Sequence, residues 1–459
     1  MSGSDVSHPV SGTSDRPQRR GPAEVVGLTV RSLLVTMVVV LPSFWTMGQI
    51  GRWWTPPLAA VILAVMLAVS LPRAVAAVQP RYWLGSALGL LVSTVLAGVA
   101  SVLVVMDGRP RIAGAIVFAV LAGVTVWLRR FRAPGRAVGL MAGLPLMAVL
   151  VAPMPSHMSW SVTVWVLVSA VVAGLWAGAI AFLSVRVVAG DRPRPGGSAP
   201  ESGTRPSKSA KPRVLSSTRM ALQQTVAVGL AFLAAQWVDA SHVVWPVLTA
   251  LIVLSNNRGR GDVLWKGAQR LVGALIGTAA ATAVVGLWPA GDVRAIVVVF
   301  ALIALAAALR PFGYVYWAAC VTAGLAFLYG YLGQGGMGML SHRLIGIVVG
   351  GVIAIVVAWF LLPVRTIDVV RSRIAAVRRA MSDVEVLRER GEDPTLSLAT
   401  LQDSCHQLSQ LLPATRAARV LGIGPVRTLA TTVQDTLDQA SQLSADLDFP
   451  ENPGYVGSG

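Results

Sequence analysis

The chain alternates long apolar blocks with short polar breaks. A hydrocarbon core about 30 Å thick needs roughly 20 apolar residues per crossing helix. On that rule residues 26–48, 55–71, 83–105, 112–128, 137–152 and 160–183 read as spans, and a second series follows at 219–238, 243–256, 268–288, 293–309, 313–332 and 341–362. Between the two series lies 190–215, built of Gly, Pro, Ser, Arg and Lys, whose composition predicts a basic flexible linker with no core of its own. Beyond 366 the pattern changes. Apolar residues recur at helical spacing on a charged background: Ile374, Val377, Met381, Val384 and Leu387, then Leu398, Leu401, Leu408 and Leu411, then Leu429, Val433, Leu437 and Leu443. Breaks at Gly391–Pro394 and Gly422–Pro425 divide them, so a bundle of three amphipathic helices is expected.

Composition sharpens this into a class. Of the 459 residues 54% are hydrophobic and 13% charged, about half the charged fraction of a soluble domain. A soluble enzyme is excluded, and so is a disulfide scaffold, since Cys320 and Cys405 are the two cysteines and fall in different contexts. The expected fold is all-α and polytopic: two tandem parallel six-helix repeats, about twelve transmembrane helices, and a small cytoplasmic helical bundle. The domains read as a disordered cytoplasmic tail over 1–24, a degenerate first repeat over 25–189, the linker over 190–215, a second repeat over 216–365, the bundle over 366–449 and a disordered tail over 450–459. Residues 1–24 are polar and lack the pattern of a cleavable signal peptide.

The net charge of +17 falls mostly in alternate loops. With the N-terminus inside, inner loops hold Arg73, Arg81, Arg129, Arg130, Arg132, Arg136, the linker cluster, Arg258, Arg260, Lys266, Arg270, Arg310 and Arg365. Outer loops hold Arg52, Arg109, Arg111, Arg294 and Arg343. This positive-inside bias places both termini in the cytoplasm of a cell (inner or plasma) membrane and explains the charge without a nucleic-acid partner.

The duplication rests on an ordered series of matches. Arg31 pairs with Arg219, Trp54-Thr-Pro with Trp245-Pro, Gly85-Ser-Ala-Leu-Gly89 with Gly273-Ala-Leu-Ile-Gly277, and Leu128-Arg-Arg-Phe131 with Leu309-Arg-Pro-Phe312. An even number of spans per unit sends both copies into the membrane in the same direction, related by an axis along its normal.

Chemistry-bearing residues are sparse. Between Val25 and Arg365 the carboxylates are Asp107, Asp191, Glu201, Asp239, Asp262 and Asp292, each in a loop or at a span end. No catalytic, cofactor or metal site is implied. What recurs is an arginine ahead of paired glycines: Arg270-Leu-Val-Gly273-Ala-Leu-Ile-Gly277 and Arg343-Leu-Ile-Gly346-Ile-Val-Val-Gly350. Glycines four apart let another helix approach closely, and an arginine three residues before them shares nearly the same face. Arg270 and Arg343 therefore either hold an anion inside the bundle or snorkel to head groups. Trp245-Pro246 and His342 flank the same spans and complete the candidate substrate contacts. The aromatics at span ends read as interfacial belt residues, and the Tyr314-Val-Tyr316-Trp317 run as belt, packing or a stacking surface.

Trp245-Pro-Val-Leu-Thr, Asn257-Arg-Gly-Arg260, Gln269-Arg-Leu-Val-Gly-Ala-Leu-Ile-Gly277 and His342-Arg-Leu-Ile-Gly346 resemble the integral membrane transporter domain of fusaric acid resistance proteins. That domain is shared with bacterial aromatic acid exporters and is distantly similar to plant aluminium-activated malate channels. The resemblance covers about 216–365. It implies a six-helix unit that works in pairs, a cytoplasmic helical domain, and export of small organic or aromatic carboxylate anions. The other functions to weigh are a passive anion channel and a membrane scaffold acting through its bundle, which could also join two chains as a homodimer.

Overall fold

The structure is a computed structural model that describes residues 22–51, 57–76, 78, 80–106, 109–151, 160–189, 216–238, 243–255, 257, 259–285, 288–333, 337–362, 366–391, 394–412, 415 and 427–445. The expected linker and all but the edge of the expected N-terminal tail lie outside these residues, as does the expected C-terminal tail. Helices of the first half are α1 (Pro22–Gly51), α2 (Pro57–Ala76), α3 (Trp83–Val105), α4 (Arg109–Trp127), α5 (Arg132–Val151) and α6 (Trp160–Ala189). The second half has α7 (Ser216–Val238), α8 (Val244–Leu254), α9 (Arg260–Val285), α10 (Val293–Leu309), α11 (Tyr314–Tyr331) and α12 (Met337–Phe360). Three more complete the described residues: α13 (Thr366–Glu389), α14 (Thr395–Ser409) and α15 (Arg427–Ala445).

Several of the first twelve helices, α3, α4 and α12 among them, are inside out relative to those of a soluble protein. On α3 the exposed stripe is Leu84, Leu88, Val92 and Leu96, while Ser86, Ser93, Thr94 and Ser101 are buried. The same inversion leaves Ile112, Ile116, Val120 and Val124 exposed on α4, and Ile345, Val348, Val352 and Val356 on α12. Apolar stripes of this length cannot face water without aggregating, so lipid is the solvent that satisfies them. The buried hydroxyls are served locally: Ser86 donates to the Tyr82 carbonyl, Thr94 to that of Leu90, and Ser93 reaches the Ala142 carbonyl of α5. Four helical stretches, Trp83–Val105, Arg111–Phe131, Ala133–Val151 and Ser341–Phe360, are long and apolar enough to cross a membrane, and shorter apolar stretches lie in α1, α2, α6, α8 and α10. This is a multi-pass membrane protein.

Within the first half α2 packs on α1 and α6, and α3 on α4, α5 and α6; within the second α8 packs on α7 and α12, α11 on α9 and α10, and α9 on α12. The halves meet where α4 packs on α7, α1 on α10 and α5 on α8. At the first seam Gly123 allows α4 to press on Ala221 and Thr225. The bundle has its own core, in which Val370, Val377 and Val384 of α13 meet Leu401 and Leu408 of α14 and Val433 and Leu437 of α15. Gln223 of α7 donates to the Leu361 and Leu362 carbonyls just past α12.

Candidate functional site

Two pairs of glycines bring four helices of the second half together. A Cβ at Gly346 would stand 2.7 Å from Cβ of Trp245 and 3.0 Å from Cδ of Pro246, and one at Gly350 would overlap the Pro246 carbonyl. The first turn of α8 therefore lies directly against α12. A Cβ at Gly273 would stand 2.7 Å from the Val315 carbonyl oxygen, and one at Gly277 would overlap the Ala319 carbonyl, so α11 lies equally close to α9. Each arginine follows from this. Being three residues before its first glycine, it sits on the packed face and is drawn inside with it.

Arg343 is 1% exposed and Arg270 2%. Arg270 lies roughly 15 Å along α9 from Arg260, about half the thickness of a hydrocarbon core. The guanidinium carbon of Arg343 sits 4.3 Å from the ring centroid of Trp245, itself buried, and Trp245 meets Tyr329 of α11 edge-on with centroids 5.8 Å apart. Tyr329 is also close to Arg343, and its hydroxyl donates to the Val151 carbonyl of α5 at 3.5 Å, a long bond that reaches the first half. Arg270 faces the Tyr314 hydroxyl within hydrogen-bonding reach and is near enough to Arg343 for the two charges to repel.

The electrostatics of this cluster are unbalanced. Among the described residues, Nε and both terminal nitrogens of Arg343 have no hydrogen-bond partner, nor has Nε of Arg270; Thr249, Thr278 and Thr322 likewise carry buried hydroxyls without partners there. The Trp245 face supplies a cation–π contact, worth about 2 kcal/mol when desolvated. That is smaller than the several kcal/mol it costs to strip water from an unpaired ion. A bound carboxylate would close the gap, because its two oxygens match the fork of a guanidinium.

The remaining expected residues take different places. His342, next to Arg343 in sequence, is exposed. The Tyr314-Val-Tyr316-Trp317 run does not form one surface: Tyr314 turns to Arg270, Tyr316 is half exposed, and Trp317 lies under Arg310 at 4.6 Å. Pro246 packs against Gly346 and Gly350 of α12. In the first half Tyr82 is half buried under Arg81, and Val164 is exposed. The cations thus stand within the second half, among α8, α9, α11 and α12, with Tyr329 as their link to the first. Tyr314 and Tyr329 were not singled out as partners of the two arginines. Both stand at span ends, where belt aromatics are expected, and nothing in the sequence separates them from that class. Among the described residues no group of three or more His, Cys, Asp or Glu could hold a metal ion.

Residues 230–357 match the family described as fusaric acid resistance protein-like. No curated protein and no solved structure matches the chain. The matched segment contains Trp245, Arg270, Tyr314, Tyr329 and Arg343, so the part of this membrane protein that holds the buried arginines is a fusaric acid resistance protein-like domain.

Proposed function

We propose that the chain is an exporter of small organic carboxylates, aromatic acids among them, which takes its substrate at Arg343 with Arg270 as the second cation. The observation that carries this reading is the buried guanidinium of Arg343, over the Trp245 ring and lacking any hydrogen-bond partner among the described residues. A substrate ring has tryptophan and tyrosine faces beside it, and its carboxylate has the unfilled donors. Burial of Arg343 favours a carrier over an open channel, because a conducting pore would wet the cation.

The packing supports the tandem arrangement expected from the sequence. Advancing each helix number by six turns α1 on α2, α1 on α6, α2 on α6 and α3 on α5 into α7 on α8, α7 on α12, α8 on α12 and α9 on α11, all of which are in contact. At the seam the same step turns α1 on α10 into α7 on α4, whereas α5 on α8 has no comparable α11-on-α2 counterpart and α3 on α4 no comparable α9-on-α10 one. Twelve crossings, with both termini and the bundle on the cytoplasmic side, are the topology that fits this pairing and the loop charges.

The test is efflux from cells lacking the chain and complemented with wild type or Arg343→Ala, challenged with a panel of aromatic and aliphatic carboxylic acids. Wild type is expected to lower accumulation of at least one acid, and Arg343→Ala to lose that effect while reaching the membrane in equal amount. Unchanged efflux by the variant removes the binding role of Arg343.

A further inference from the structure

The buried arginines have a consequence for how transport is coupled, and it rests on the anion-exporter reading above. The described conformation is closed around Arg343, which is 1% exposed, has three nitrogens without partners and lies near a second buried cation. Asp262, the carboxylate described on α9, is in its first turn and engaged with Lys266 at 3.2 Å; Asp292 caps α10 and holds Arg294 at 2.9 Å. Among the described residues no carboxylate neutralises Arg343 or Arg270.

We propose that this protein is an obligatory anion exchanger: its site passes between the two sides of the membrane readily only when an organic anion is bound, so export of one anion requires import of another. When the site is open to either side, water can solvate the guanidinium groups. In the closed conformation water is gone, and an empty site would leave two cations together with the donors of Arg343 unfilled, whereas a loaded site has a carboxylate on them. The closed state is the one that every change of side must cross. The empty crossing is therefore the slow one. A proton cannot stand in for the missing anion, since protonation adds positive charge and arginine does not give up its own proton in the working pH range. Anions of equal charge move in opposite directions, so charge balances and the membrane potential does no net work.

The full chain in liposomes tests this with two weakly permeant probes, labelled p-aminohippurate and labelled succinate, loaded inside at pH 8. Protein-free liposomes supply the leak to subtract. Efflux is measured into mannitol medium free of organic anion, and into the same medium containing the unlabelled probe. For at least one probe, unlabelled anion outside is expected to accelerate efflux about tenfold or more, equivalent to about 1.4 kcal/mol on the slow step. The accelerated flux should not change when the membrane potential is clamped with potassium and valinomycin. Equal, protein-dependent efflux in both media overturns the exchange mechanism and leaves the exporter reading standing. No protein-dependent flux of either probe in either medium counts against the exporter reading itself, and the exchange mechanism falls with it.

Discussion

The guanidinium carbon of Arg343 stands over the Trp245 ring, 4.3 Å from its centroid, while none of its nitrogens donates to any described residue. A cation held by a ring face alone, behind a glycine-packed helix contact, stores instability in the ligand-free protein. Replacing Arg343 with Met keeps the length and apolar stem and removes the charge. Arg343→Met is expected to stabilise the ligand-free protein by about 1–4 kcal/mol, the gain seen when buried charges give way to well-packed apolar groups. It should also abolish any rise in melting temperature that a carboxylate gives the wild type. Thermal unfolding in detergent, with and without p-aminohippurate, measures both. A variant less stable than wild type would mean that Arg343 is already paired.

Gly350 and Gly351 are neighbours with opposite surroundings. A Cβ at Gly350 runs into the Pro246 backbone, and one at Gly351 meets nothing within 4 Å. Gly350→Ala should cost about 1–3 kcal/mol by forcing α8 and α12 apart. Gly351→Ala should be neutral or slightly stabilising through its higher helix propensity. Because the Gly350 contact also seats Trp245, the first variant should weaken carboxylate binding as well, and the second should not. Melting temperature and probe-induced shift, compared across the pair, check this with an internal control.

The helices could be read from the sequence, and burial of the two arginines as one of two alternatives beside snorkelling, because both depend on local spacing. Span length sets which stretches can cross lipid, and the three-residue step from Arg343 to Gly346 fixes which face the arginine shares. What surrounds that face is not local. Tyr329 reaches Arg343 from a different helix, and no spacing rule links residues on α11 and α12. The cations lie inside the second half and not at the boundary between halves. A repeat expected from sequence matches would say which helices correspond, not which of them line the site. His342 illustrates the same limit: adjacency in sequence turns a helical side chain by about 100° and took it to the exposed face.

In the bundle, burial pushes the Cys405 thiol up to about 12 from its ordinary value of 9.0. The folded state therefore keeps a proton that an unfolded chain releases, and between those two values the folded state binds more protons. Stability of the bundle should fall as pH rises above 9, and Cys405→Ala should flatten that fall. At pH 7.5 the thiol is neutral and covered. In a Cys320→Ala background, maleimide should label Cys405 slowly in the native protein and rapidly once detergent or heat has unfolded the bundle. Rapid native labelling would show that α13, α14 and α15 open far more often than their packing allows.

The seam between the halves carries two edge-to-face ring pairs. Phe44 of α1 meets Phe300 of α10 with centroids 4.8 Å apart at 76°, and Phe118 of α4 meets Phe232 of α7 at 5.7 Å and the same angle. Advancing each helix number by six converts one pair into the other, which is how an isologous interface behaves when one axis relates its two sides. Each pair should then contribute a similar coupling, about 0.5–1.5 kcal/mol beyond its area. Double-mutant cycles with Phe44→Leu and Phe300→Leu, and with Phe118→Leu and Phe232→Leu, measure the two couplings from thermal unfolding. The pairs share no residue and no helix, so the two cycles should be additive with one another. A rocking carrier adds a kinetic expectation: loosening either pair should change the exchange rate more than the apparent affinity for the probe, because neither ring touches the arginine cluster. A coupling present in one pair and absent in the other would argue that the halves meet through unrelated surfaces, and that the axis is a coincidence of helix order.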